Sequence, residues 1–207
     1  MLIEPVSPAD ADDDVAKLYA RLADLLEVDS LPEAFSAYGR VPSFLKDLFM
    51  NLKKFVIGDG RLDAGLRAKI ALATAAHAKN GDWADLLASR LDGLGVDSQA
   101  RAEVLAVAST NYMYNTFFKF RSLSGTERFD NLSVGLRAHT FQSTSLPETE
   151  VELINIAISD LNACAPCVSG HVEKAKQLGL SDDQMLEAIQ VAAVVYAGAM
   201  YLNTASL

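Results

Sequence analysis

The chain's two cysteines lie three residues apart in Cys164-Ala165-Pro166-Cys167-Val168-Ser169-Gly170-His171, and Glu152 stands twelve residues before the first sulfur. On a helix, residues three or four apart share a face, so Cys164 and Cys167 would lie side by side with His171 one turn beyond Cys167. An imidazole would then stand beside a thiol. The thiolate, not the thiol, is the nucleophile, and a neighbouring base or a helix N-terminus raises its population at neutral pH. These are the parts of a redox site. Two other readings remain open. Free cysteines are among the most buried residue types and can be inert, and Cys164, Cys167, His171 and Glu152 are all of types that bind zinc. Structural zinc usually draws on a second Cys or His pair, which this sequence lacks, so no metal is expected. His77 and His139 match no part of the pattern and are left unassigned.

The elements that must position these residues read as helices almost throughout, with hardly any alternating β-branched stretch bounded by turns. The expected class is all-α, which excludes the βαβ scaffold on which thioredoxin-like Cys-x-x-Cys pairs sit. Ser7-Pro8 reads as a cap leading into a helix over Ala9–Glu27, and Pro32 and Pro42 open short helices, the second over Ser43–Phe55. Further helices are expected over Asp63–Ala78, Asp82–Leu94 and Ser98–Phe120, with Gly95 as a stop. Polar residues Ser122–Leu132 form the candidate linker. Beyond it the pattern predicts Glu148–Asn162, Pro166–Leu178 ending at Gly179, and Ser181–Leu202 opened by a capping box. Glu152 falls near, but not within, the stripe of Ile154, Ile158 and Leu161. Tyr112, Tyr114, Phe117 and Phe118 form an aromatic stripe suited to a core or subunit interface and able to wall the thiol site.

Composition narrows the function classes. With 207 residues, 50% of them hydrophobic, the chain can bury a sizeable core as one domain or two small repeats. Eighteen basic against 27 acidic residues give a net charge of −9, and there is no dense Lys/Arg cluster, which argues against nucleic acid and anionic lipid surfaces. The first fourteen residues are acidic and carry neither a basic nor an apolar leader region, so a cytoplasmic location is expected. The Ala-rich run Val191–Leu202 is shorter than a membrane span needs and reads as a buried helix.

The two halves also resemble one another. An offset of 84 residues sets Gly179-Leu180-Ser181 on Gly95-Val96-Asp97, Glu187 on Glu103, Leu178 on Leu94, Ile154 on Ile70 and Leu146 on Leu62. The expectation is a duplicated three-helix unit, one over residues 1–121 and the other over 122–207, forming one compact domain. Glu152, Cys164, Cys167 and His171 then fall on Ala68, Asn80, Trp83 and Leu87. Only the second unit keeps reactive groups.

The pattern Glu-x11-Cys-x2-Cys-x3-His, here Glu152, Cys164, Cys167 and His171, resembles the active-site signature of the alkyl hydroperoxidase D group within the carboxymuconolactone decarboxylase-like superfamily. The run Tyr114–Arg121, the segment Gly135-Leu136-Arg137, and Gly179-Leu180-Ser181 with its Ala-rich helix are similar to the corresponding family stretches. Val41-Pro42-Ser43-Phe44-Leu45 and Leu62–Arg67 extend the likeness more loosely into the N-terminal half. The resemblance implies an all-helical tandem-repeat fold assembled as a homo-oligomer, trimer or hexamer. It implies a thiol peroxidase acting on hydrogen peroxide or organic hydroperoxides. Cys167 would attack the peroxide, Cys164 would resolve the sulfenic acid into a Cys164–Cys167 disulfide, and His171 and Glu152 would relay the proton. No bound cofactor is implied; an external thiol donor of the lipoyl or dihydrolipoamide type would reduce the disulfide. The family's best-studied members carry a histidine immediately before the second cysteine, where this chain has Pro166, which removes one group of the relay. The superfamily also contains lyases acting on lactones, and a disulfide-relay or redox-sensing protein without peroxide turnover is a further reading.

Overall fold

Asp12 opens the first helix, α1 (Asp13–Leu26), by accepting the amides of Asp14 and Val15. The expected start near Ala9 is thus four residues early. Ser7, Pro8 and Asp10 form a separate turn, closed by the Ser7 hydroxyl on Asp10 and the Asp10 amide on the Ser7 carbonyl, and the chain takes up the helix only where the next cap stands. Val15, Tyr19, Leu22 and Leu26 are its buried stripe. A 3-10 stretch, Glu33–Arg40, follows, then α2 (Pro42–Asn51), which widens into a π turn over Leu52–Ile57 in place of the continuous helix expected to Phe55.

The computed structural model describes residues 2–207, and among the described residues there is no strand. The all-α expectation holds. The main body consists of α3 (Ala64–His77), α4 (Gly81–Gly93), α5 (Ser98–Leu123), α7 (Glu148–Leu161), α8 (Ala165–Gln177) and α9 (Asp182–Ala205). Asp63, Asn80 and Asp97 cap α3, α4 and α5, and α9 carries the expected capping box of Ser181 with Gln184. The linker expected over Ser122–Leu132 begins later and extends further: α5 runs on to Leu123, and before α7 the chain makes only a 3-10 turn over Glu127–Phe129 and a single turn, α6 (Thr140–Ser143). The apolar α9 is long enough to cross a membrane by length and composition alone, but here it packs on α3 and α7 through Ala188, Val191, Ala192, Val195, Ala199 and Leu202.

Helix packing crosses between the halves. The pairs α3–α4 and α7–α8 are antiparallel hairpins, while α9 packs on α3 and α5 packs on α7. Both hairpins also share backbone details. Lys79 and Ala163 each take a left-handed conformation (φ 57° and 53°) between their helices, and Gly95 and Gly179 do so after them. Glu187 of α9 accepts the Arg61 amide at 2.7 Å just before α3, and Glu103 of α5 accepts the Ser145 amide at 2.9 Å just before α7. A Cβ on Gly60 would run into the Glu187 carboxylate and push it off the Arg61 amide. α9 thus pins the entry to α3, and α5 pins the entry to α7. Buried Arg67 joins the Glu187 contact at 3.4 Å and donates to the Leu62 carbonyl at 2.7 Å.

Ala163 is the non-glycine residue at the turn into α8, and a left-handed alanine is strained by Cβ–carbonyl contact. Ala163→Gly is expected to stabilise the fold by about 0.5–1 kcal/mol, read as a rise in the denaturation midpoint at unchanged m-value.

Candidate active site

The turn at Ala163 fixes where the cysteines fall. The Ala163 amide bonds to the Asp160 carbonyl and the Cys164 amide to the Ser159 carbonyl, which ends α7 and leaves Cys164 as the N-cap of α8. Cys167 is then the third residue of the helix, one turn along the same face, and the two are joined in a disulfide with Cα atoms 5.3 Å apart. In the first half, Asn80 occupies the same cap position and its side chain accepts the Trp83 amide at 3.0 Å. Cys164 therefore puts sulfur where an ordinary cap puts oxygen. A thiolate at such a position is favoured by the positive end of the helix dipole. Pro166 sits in the first turn, where a backbone N–H has no partner within the helix, so it costs α8 nothing.

Glu152 lies on α7 and is 4% exposed. Its inward orientation was not legible from the apolar stripe because α7 is enclosed on every side, with each residue from Val151 to Ser159 buried. Its Oε2 is 2.7 Å from Nδ1 of His171 on α8. In the neutral imidazole, a carboxylate at Nδ1 accepts from that nitrogen and so selects the tautomer in which Nε2 carries the lone pair. Lys174, one turn beyond His171, places Nζ 2.5 Å from Glu148 Oε1 and 3.7 Å from Glu152 Oε1. The hydrogen bond to Glu148 is the largest effect on the Lys174 ammonium; burial opposes it, and the charge of Glu152 adds to it, so that the group is held above the usual lysine range.

Cys167, Glu152 and His171 open on one pocket of about 450 Å³, walled by Tyr114, Phe118 and Phe141 and edged by Pro166 and Lys174. Cys164 is 1% exposed and lies behind Cys167. The structure therefore brings together all four residues singled out in the sequence. Two of the four aromatic residues of the α5 stripe reach the pocket. Tyr112 instead packs against His77, which also meets Tyr196; burial pushes the Tyr112 phenol up to about 12 and lowers the His77 imidazole, helped by Lys79. His139 precedes α6, where its carbonyl accepts the Ser143 hydroxyl. No group of three or more His, Cys, Asp or Glu side chains able to hold a metal ion occurs among the described residues.

Sequence reasoning missed a polar seam behind the pocket. Asn111 donates to the Asn155 carbonyl and the Ser159 hydroxyl, Asn115 donates to Asn111 and Ser159, and Asn162 donates to Asn115. The signal lay in the register: 84 residues earlier, Glu152, Asn155 and Ser159 correspond to Ala68, Ala71 and Ala75, so the polar stripe belongs to the second half alone. The first half is filled instead. Trp83, at the position matching Cys167, donates through Nε1 to the Tyr38 hydroxyl at 2.9 Å, and Tyr38 donates to the Gly198 carbonyl at 2.8 Å. A Cβ on Gly198 would lie 2.9 Å from the Trp83 ring. Gly198 matches Tyr114, the residue that walls the open pocket.

Residues 127–206 match the model of the carboxymuconolactone decarboxylase family. The chain is 33% identical over 173 residues to the alkyl hydroperoxide reductase AhpD of Anaeromyxobacter dehalogenans, covering 80% of this chain and 88% of that protein. It is 30% identical over 180 residues to AhpD of Mycobacteroides abscessus, covering 86% and 97%. Among solved structures, a putative gamma-carboxymuconolactone decarboxylase subunit from Burkholderia xenovorans superimposes with a TM-score of 0.62 at 17% identity, covering 93% of this chain and 97% of that one. An AhpD-core, peroxidase-related protein from Ralstonia eutropha gives a TM-score of 0.56 at 16% identity, covering 97% and 88%. At these identities the two structures speak for the helical fold.

Proposed function

The chain belongs to the alkyl hydroperoxide reductase AhpD family within the carboxymuconolactone decarboxylase superfamily, and on that premise we propose that it is a thiol-dependent peroxidase cycling a Cys164–Cys167 disulfide. Nε2 of His171 takes the Cys167 thiol proton. The thiolate attacks one oxygen of the hydroperoxide, the O–O bond breaks, and the departing alkoxide or hydroxide takes up a proton from the imidazolium. The resulting Cys167 sulfenic acid condenses with the Cys164 thiol, releasing water and forming the disulfide. An external dithiol of the dihydrolipoamide type then reduces the disulfide, becoming oxidised itself. The observation that carries this reading is the Cys pair at the first turn of α8, with Cys167 sharing a pocket with the His171–Glu152 couple.

Hydrogen peroxide and organic hydroperoxides are the proposed substrates, and a thiol or lipoyl protein the donor. We place the protein in the cytoplasm as a homo-oligomer, trimer or hexamer. We read residues 1–121 and 122–207 as two copies of one helical unit with the site in the second alone; the matching helix ends and the Trp83 plug support this. The family description favours one second reading, a lyase working through His171 and Glu152 without the thiols.

Reduced protein is assayed with tert-butyl hydroperoxide or hydrogen peroxide and dihydrolipoamide. Sustained consumption, with Cys164→Ser trapping a sulfenic acid on Cys167, is the expected result. A single stoichiometric oxidation would turn the reading towards a redox sensor. A lyase activity surviving the double Cys→Ser variant would replace it.

A further inference from the structure

Lys174 has no part in the thiol chemistry just described, yet its ammonium stands at the far oxygen of the carboxylate that holds His171. We infer that Lys174 is a positioning residue of this site: shared between Glu148 and Glu152, its charge compensates the buried carboxylate from the oxygen that His171 does not use, so that His171 is not required as the counter-ion and Nε2 is left to accept a proton. The inference rests on the peroxidase reading for its catalytic meaning, but its electrostatic content does not.

The argument begins from burial. The Glu152 side chain is 6% accessible, and a buried carboxylate needs a compensating charge. Two groups within reach could supply it. If His171 did so, it would have to be protonated on both nitrogens and could no longer accept the Cys167 proton. Lys174 supplies it from the other oxygen, 3.7 Å away, so His171 need give only the neutral Nδ1–H hydrogen bond. Placement agrees with this role. Lys174 follows His171 by three residues on α8, which puts both on the face towards α7. Lys174 edges the pocket while its side chain remains 48% accessible, so the charge is kept without full desolvation. Glu148, 54% accessible, draws part of the ammonium's charge away from Glu152 and so sets how strongly Lys174 acts on the couple. The titratable groups sharing the pocket with His171 are Glu152 from α7, Cys167 and Lys174 from α8, and Tyr114 from α5, with Glu148 of α7 reached through Lys174; Phe141 meets the ring edge-on without charge.

The two ends of the Lys174–Glu148 pair make opposite predictions. Removing Lys174 takes a positive charge from the couple, so Lys174→Met should move the His171 titration to higher pH. Removing Glu148 takes a negative charge and turns Lys174 wholly to Glu152, so Glu148→Gln should move it to lower pH. Lys174→Arg should restore the original value. A lysine that merely ties α8 to α7 gives no such reversal, because both variants break the same tie. The measurement is an NMR titration of the His171 ring in the reduced protein, with His77 and His139 as references in the same spectrum. The acid limb of the peroxide-consumption profile should move with it. Unchanged His171 titration in folded Lys174→Met, or shifts of the same sign in Lys174→Met and Glu148→Gln, would overturn the inference. Opposite shifts in a protein that consumes no peroxide at any pH would uphold it and overturn the peroxidase reading.

Discussion

Cys167→Ser is expected to abolish peroxide turnover, a loss of roughly a thousand-fold or more, since removal of a nucleophile leaves only binding and solvent reactivity. A serine hydroxyl is not ionised near neutral pH, and His171 cannot make it so without a far larger pKa change than one hydrogen bond supplies. The geometry separates the two sulfurs. Cys167 lines the pocket, whereas Cys164 lies behind it and is almost fully enclosed. Cys164→Ser should therefore still react once with peroxide and then stall, while Cys167→Ser should not react at all. Trapping with a sulfenic-acid reagent and mass spectrometry distinguishes the variants. The reverse pattern would exchange the two roles and place the attacking thiol at the helix cap.

The largest effect on stability is expected far from the thiols, at Trp83. Its ring is fully buried, 5.0 Å from Phe35 between centroids, against Tyr38 and the bare backbone of Gly198. Trp83→Ala should cost about 3–5 kcal/mol, combining lost transfer energy with an unfilled void. Tyr38 keeps the Gly198 carbonyl as acceptor, so no buried donor is orphaned and the lower part of that range is favoured. For a chain of this size the melting midpoint should fall by roughly 10 °C. Circular dichroism is the readout, since the substitution removes the chain's one tryptophan. Below the midpoint, the alkylation rate of reduced Cys167 should be nearly unchanged. A parallel loss there would mean that the packing of the filled half controls the open one.

The helices were legible where a cap and an apolar stripe agreed, as at Ser181 with Gln184 or at Asp63. They were misplaced where two candidate caps followed one another. Ser7 and Asp12 both qualify, and only tertiary packing of Val15 and Tyr19 selects the second. α6 and the turn at Glu127–Phe129 are too short for an apolar position to recur at helical spacing, so no pattern could disclose them. Cys164, Cys167 and His171 could be found from spacing because they share one helix, whereas Glu152 on α7 was singled out through the family resemblance. Lys174 could be found by neither route, since an accessible lysine reads as surface and its importance depends on a carboxylate across the hairpin. Asn111 and Asn115 were hidden for a related reason: in the sequence they sit among aromatic residues on a helix with no single apolar face, and their partners are 44 residues away. Nor does any pattern within one half reveal that its third helix will be used by the other.

That crossing has a bearing on how such a chain could have arisen and how it can be cut. A polypeptide ending after α5 would expose the Asn111–Asn115 face that α7 covers, and would leave α3 without the helix that lies over it. A polypeptide beginning near Gly125 would have the mirror deficiency. Each fragment carries what the other lacks, so association between severed pieces would repeat the exchange of helices that the intact chain makes with itself. Seen this way, the covalent link replaces a concentration-dependent encounter by a permanent one. One side is then free to fill with an indole while the other keeps its sulfurs.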